Sequence, residues 1–166
     1  MMIVKKLFAA AAILLSIAAC SSDKKTDPGT TTTTQPGKPS PSADWRTFTN
    51  PQSGYADRVF FDYNEYALTA EGQRTAQAWS EWLKAHPQAR MLIEGHADER
   101  GTREYNLALG ARRASSVRNY LITLGVPANR IQTVSYGKER PEDPASNEAS
   151  WAKNRRGVAV PSGPGA

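Results

Sequence analysis

The sequence predicts a two-layer α/β domain in the order β-α-β-α-β-β, with helices packed on a mixed sheet. Three observations carry that expectation. Short apolar runs of strand length stand at Arg58–Tyr63, Arg90–Gly95, Ile131–Tyr136 and Arg156–Val160. Two longer segments between them repeat their apolar residues at helical spacing. Each of those segments opens on a capping threonine and closes at a glycine or proline.

The elements follow in chain order. RVFFDY, Arg58–Tyr63, is apolar and aromatic and reads as a buried strand. Thr69 caps the first helix, and Glu71 places a carboxylate near its positive end. Ala76, Trp79 and Leu83 recur at helical spacing until Pro87 stops the helix. Trp79 and Trp82 fit packing groups better than stacking platforms. In the second strand Met91 and Ile93 alternate with Leu92 and Glu94. Thr102 caps the second helix, which runs to Leu124 and ends at Gly125, with Pro127 beyond. Ile131–Tyr136 is the third strand, and the proline-rich, charged stretch 137–146 is a loop. Asn147–Asn154 reads as a short helix and Arg156–Val160 as the closing strand. The domain thus spans 45–160, with a flexible Gly/Pro tail at 161–166.

The 166 residues allow one ordinary domain plus tails. The net charge is +5, or about +3 without Lys5 and Lys6. Both signs are mixed along the chain, and no basic cluster is interleaved with aromatics, so nucleic acid is not an expected partner. Cys20 is the only cysteine, which excludes an intramolecular disulfide and a cysteine-based metal site.

The N-terminus reads as an address. Lys5 and Lys6 precede the apolar run Leu7–Ala19, which is shorter than the ~20 residues a spanning helix needs. A charged segment followed by a short apolar core is a secretory signal peptide, here residues 1–19. It ends in Ile17-Ala18-Ala19-Cys20, which resembles a lipobox, making Cys20 the lipidation site and first mature residue. One acyl chain anchors marginally and several hold firmly. Ser21 stands where an aspartate often signals inner-membrane retention, which favours the outer membrane. Residues 20–44 are rich in Thr, Pro and Gly, too apolar-poor to fold, and read as an extended tether. At ~3.3 Å per residue such a tether reaches at most ~80 Å.

The run Glu94–Ala114, EGHADERGTREYNLALGARRA, holds the candidate site. Asp98, Glu99, Arg100 and Gly101 form an acidic loop after the second strand, where loops commonly carry sites. Asp98 reads first as the cap of that turn and second as the anionic half of a site. On a helical wheel Leu107, Ala111, Ala114, Val117, Leu121 and Leu124 form one apolar stripe. Arg112 falls nearly opposite it, in solvent. Arg113 falls on its shoulder with Asn106. Spacing fits Arg113 equally to a site residue, a snorkelling side chain, or an ion pair with Asp98 or Glu99.

Three blocks carry a family resemblance: VFFDYNEYALT, the run from Glu94 to Leu121, and VSYGKERP with KNRR. Together they resemble the OmpA-like peptidoglycan-binding domain over about Arg58–Val160, and the forms EGHADERGT and VSYGKE point to its lipoprotein branch. The resemblance implies non-covalent binding of the meso-diaminopimelate of peptidoglycan, with no cofactor and no metal. It implies that Asp98 receives the ammonium and that the planar fork of Arg113 receives the neighbouring carboxylate. Phe61 and Asp62 match pocket walls, and Glu99, Arg100, Asn106 and Leu109 match the rim. It also implies a role in the Tol-Pal system, envelope integrity and cell division, with the periplasmic propeller protein TolB as a partner competing for overlapping surface. One departure is Asn64, where many relatives carry a second acid.

Other readings have less in the sequence to stand on. Glu94, His96 and Asp98 would share one strand face, but no second ligand cluster joins them, and no nucleophile-elbow, zincin or P-loop pattern occurs. The chain therefore reads as a binding protein, not an enzyme, with His96 packed and hydrogen-bonded. A stator anchor or porin tail carries a spanning helix or barrel before the domain, for which this sequence has no segment. A module whose main partner is a protein is the third reading.

Overall fold

The computed structural model describes Phe48 and residues 55–163. The expected signal segment, Cys20, the tether and the last three residues lie outside the described residues.

Among the described residues, four strands and three α-helices follow in order: β1 (Arg58–Phe60), α1 (Ala70–Ala85), β2 (Arg90–His96), α2 (Arg103–Thr123), β3 (Ile131–Gly137), α3 (Glu148–Asn154) and β4 (Arg156–Ser162). The sheet order is β1-β4-β2-β3. β4 runs antiparallel to both β1 and β2, while β2 and β3 are parallel, so the sheet is mixed as expected. The closing strand thus inserts between the first two, an order that hydrophobic pattern does not encode.

The caps read from the sequence are formed. The Thr69 hydroxyl accepts from the Gly72 N–H and the Thr102 hydroxyl from the Tyr105 N–H. Asn147 caps α3 in the same way through the Ser150 N–H. Met91 and Ile93 of β2 are buried with Trp79, Trp82 and Leu83 of α1 and Ala114, Val117 and Leu121 of α2. The two tryptophans are 0% and 2% exposed, so they are core.

β2 and β3 each run one residue further than expected, to His96 and Gly137, and two other boundaries differ by more. β1 ends at Phe60 rather than Tyr63 because the chain turns there: the Glu65 N–H reaches the Asp62 carbonyl, and Asn64 takes the left-handed φ of 59°. Asparagine is among the few residues that accept that conformation readily. β4 continues two residues past Val160, with Pro161 and Ser162 paired to Met91 and Arg90. Those two residues belong to the sheet and not to the tail.

The expected apolar stripe on α2 holds only in its second half. Ala114, Val117 and Leu121 are buried, whereas Leu107 is 44% exposed and Ala111 faces solvent. The first half turns Asn106, Leu109, Gly110 and Arg113 inward. Two glycines explain the change. A Cβ on Gly95 would lie 1.9 Å from the Gly110 carbonyl oxygen, and one on Gly110 would lie 2.4 Å from the Ser135 hydroxyl. Helix and sheet meet backbone to backbone here, so the polar neighbours of Gly110 are drawn inside.

Candidate functional site

The loop after β2 carries the candidate site, next to the glycine contact that seats α2. Asp98 is 5% exposed. Its Oδ1 accepts from the Arg100 backbone N–H at 3.1 Å and from Arg100 Nε at 3.2 Å. Its Oδ2 accepts from Arg100 Nη2 at 2.7 Å and from Arg155 Nη1 at 3.5 Å. Burial opposes the charge, yet the Arg100 guanidinium and backbone N–H, with Arg155 adding less, outweigh it and hold the carboxyl below the ordinary aspartate range. Asp98 does cap the turn, and it is also a buried anion.

Arg113 is 0% exposed, deeper than the shoulder position of the wheel. It neither snorkels nor pairs directly with an acid. Its Nε donates to the Glu65 carbonyl at 2.8 Å, Nη1 to the His96 carbonyl at 2.8 Å and Nη2 to the Asp62 carbonyl at 3.1 Å. The Phe61 ring lies 5.2 Å from its Cζ. A guanidinium carries five N–H groups, so two remain after these three bonds. Burial pushes its pKa down to about 10, with Asp98 acting the other way, so the group stays cationic at neutral pH. Arg112 is exposed, 5.8 Å from the Tyr66 ring.

Asp98, Arg100, Asn106, Leu109 and Arg113 line one cavity of about 290 Å³, together with Tyr63, Asn64, Gly101 and Tyr105. The other expected site residues stand behind it. Phe61 and Asp62 line a neighbouring groove and reach Arg113 through the ring and the backbone carbonyl. Glu99 is not in the lining; its Oε1 accepts from the Trp151 indole at 2.9 Å. Asn106 is buried and donates to the Arg100 carbonyl at 2.9 Å, fixing the loop to the helix. Lys138 pins the same loop from outside through the carbonyls of Glu99 and Gly101, at 3.0 and 2.7 Å.

Sequence reasoning missed four groups. Tyr63 and Trp151 each place a ring 4.1 Å from the Arg100 Cζ. Arg155 reaches Asp98 from across the sheet, and the Tyr105 hydroxyl donates to Asn64 Oδ1. Asn64 is thus an acceptor on the cavity rim, the part an acid would play. The KNRR block was the available signal for Arg155.

His96 is packed, as expected, but not hydrogen-bonded: both ring nitrogens are buried without a hydrogen-bond partner, and the nearest acid, Glu94, lies 3.7 Å from Nε2. Burial, then Arg156 and Arg140, push its pKa down to about 4. Among the described residues no group of three or more His, Cys, Asp or Glu could hold a metal ion.

The OmpA family matches residues 60–155, and the chain belongs to that family. It is 51% identical over 109 residues to the peptidoglycan-associated lipoprotein of Rhizobium meliloti, covering 66% of this chain and 62% of that protein. It is 47% identical over 100 residues to the peptidoglycan-associated lipoprotein of Haemophilus influenzae. The chain thus spans about three-fifths of the length of such relatives. The crystal structure of the peptidoglycan-associated lipoprotein from Burkholderia pseudomallei superposes with a TM-score of 0.67 at 44% identity, covering 70% of this chain and 99% of that one. The C-terminal domain of Helicobacter pylori MotB shares the fold alone, at 21% identity and a TM-score of 0.61.

Proposed function

We propose that this chain is an outer-membrane lipoprotein whose periplasmic domain binds peptidoglycan without covalent chemistry, through the side chain of meso-diaminopimelate. The observation that carries the reading is the pairing of opposite charges in one small cavity. Asp98 and Arg113 are both buried, both ionised, and both line it. The end of that side chain is an ammonium and a carboxylate on one carbon. The carboxylate meets the two N–H groups that Arg113 has left, and the ammonium meets Asp98. Tyr63, Asn64, Arg100 and Tyr105 form the polar rim over which the rest of the stem peptide leaves. The names of relatives at about half identity support peptidoglycan as the partner and a lipid anchor, which here falls on Cys20.

Residues 20–44 then tie the domain to the outer membrane, and residues 1–19 are removed on export. The family resemblance adds TolB and the other Tol proteins as partners, and a role in envelope integrity and constriction at division. The chain works by binding, not catalysis.

One comparison of walls tests the ligand. Full-length protein should sediment with diaminopimelate-type peptidoglycan and stay in solution with lysine-type peptidoglycan, because lysine lacks the terminal carboxylate. Equal sedimentation with both would remove the diaminopimelate reading. Cys20→Ser should move the protein out of the membrane fraction, and unchanged fractionation would refute the anchor.

A further inference from the structure

The diaminopimelate reading meets an obstacle at Asp98. A carboxylate offers about four lone-pair directions, and all four are occupied in this structure. Three of the four bonds come from Arg100 and one, the longest at 3.5 Å, from Arg155. An ammonium cannot reach this anion without displacing a resident donor.

The two resident guanidinium groups are not equally fixed. Arg155 is 8% exposed and is also held by the Phe61 carbonyl at 3.1 Å and by Glu148 at 2.8 Å. Arg100 is 29% exposed, and its further acceptor among the described residues is Glu148 at 3.5 Å. Its remaining hold is aromatic: its Cζ lies 4.1 Å from the Tyr63 ring centre and 4.1 Å from that of Trp151. The indole is itself anchored by its N–H to Glu99. Two ring faces beside a buried carboxylate make a general cation site, because the negative faces attract any positive group.

We propose that Tyr63, Trp151 and Asp98 form a cation site whose resting occupant is the chain's own Arg100, and that the side-chain ammonium of the ligand enters by displacing it. The inference rests on the diaminopimelate reading and adds an exchange step to it. Arg100 keeps the buried anion neutralised while the cavity is free of ligand. It also sets a threshold: a ligand must bring a cation that satisfies Asp98 at least as well, together with a carboxylate for Arg113. A ligand with the carboxylate alone leaves Arg100 in place.

The test titrates full-length protein with free meso-diaminopimelate by calorimetry. Arg100→Gln should bind about five- to tenfold more tightly than the unmodified chain, since no ion pair and stack must be broken first. Unchanged or weaker binding by Arg100→Gln, with the unmodified chain still binding, would overturn the exchange and leave the ligand reading intact. No binding by the unmodified chain would overturn both. A second measurement needs no variant. The Arg100 Nε–H, bonded to Asp98 in the free protein, should lose its protection from solvent exchange when diaminopimelate saturates the site. Undiminished protection at saturation would refute the displacement.

Discussion

Two arginines at opposite ends of the sheet use the same wiring for different ends. Arg113 bonds the carbonyls of Glu65, His96 and Asp62; Arg130 bonds those of Ala89, Leu83 and His86. Each ties together carbonyls of separate segments, which is a structural task. Their surroundings differ. Beside Arg130 lies a cavity of about 410 Å³ lined by Pro87, Gln88, Ala89, Arg90, Pro127 and Asn129, without an acid. Beside Arg113 lies the smaller cavity that also holds Asp98. Binding carbonyls builds the fold at both ends; only Arg113 also shares a cavity with a buried anion, and the proposed zwitterion site rests on that difference.

The largest expected effect breaks both ends alike. Arg113→Ala takes a donor from three carbonyls at a fully buried position, of which that of Asp62 keeps the Glu65 N–H, and should cost on the order of 3 kcal/mol in a urea melt. Arg130→Ala, at a half-buried position, should cost about 1–3 kcal/mol. Only the first should also abolish sedimentation with diaminopimelate-type wall. Release of folded Arg130→Ala protein from the wall would erase the distinction between the two ends.

A smaller effect is confined to the site end. His96 gives its carbonyl to Arg113 while its ring is buried and neutral, with a pKa pushed from 6.5 down to about 4. The unfolded chain binds the proton first as pH falls, so stability is complete above about 6.5 and declines towards 4. The decline should reach up to about 3 kcal/mol. Melts at pH 7 and pH 4.5 should show it in the unmodified chain and in His86→Gln, and His96→Leu should flatten it. An equal slope in His96→Leu would assign the effect elsewhere. Asp98 adds to the loss only at lower pH: its folded pKa is depressed, so its contribution disappears as pH falls below about 3.8.

The smallest effect belongs to the neighbour of Arg113. Arg112 is exposed, and Arg112→Ala should change stability by less than about 0.5 kcal/mol and leave wall binding intact. Losses equal to those of Arg113→Ala would undo the assignment of the two faces.

Local chemistry made much of this legible in the sequence. The caps at Thr69 and Thr102, the stops at Pro87 and Gly125, and the alternation in β2 are each written within a few residues. The acidic loop and Arg113 could be named for the same reason, and the family motifs paired them. What could not be read depends on contacts between distant segments. Tyr63 and Trp151 converge on Arg100 from opposite ends of the domain. Arg155 reaches Asp98 because β4 inserts between β1 and β2, an order with no local signature. The depth of Arg113 follows from Gly95 and Gly110, whose meeting brings α2 closer to the sheet than an apolar stripe allows. The wheel counted side chains at a point where the contact is made by their absence.

The central claim is that a forked cation facing Asp98, not charge alone, holds the wall. Arg113→Lys keeps the charge, loses the fork, and can be checked for folding by its melt. The most direct measurement is sedimentation of folded Arg113→Lys with diaminopimelate-type peptidoglycan beside the unmodified chain. The expected result is loss of at least tenfold in affinity. Undiminished binding by the folded lysine variant would contradict the account.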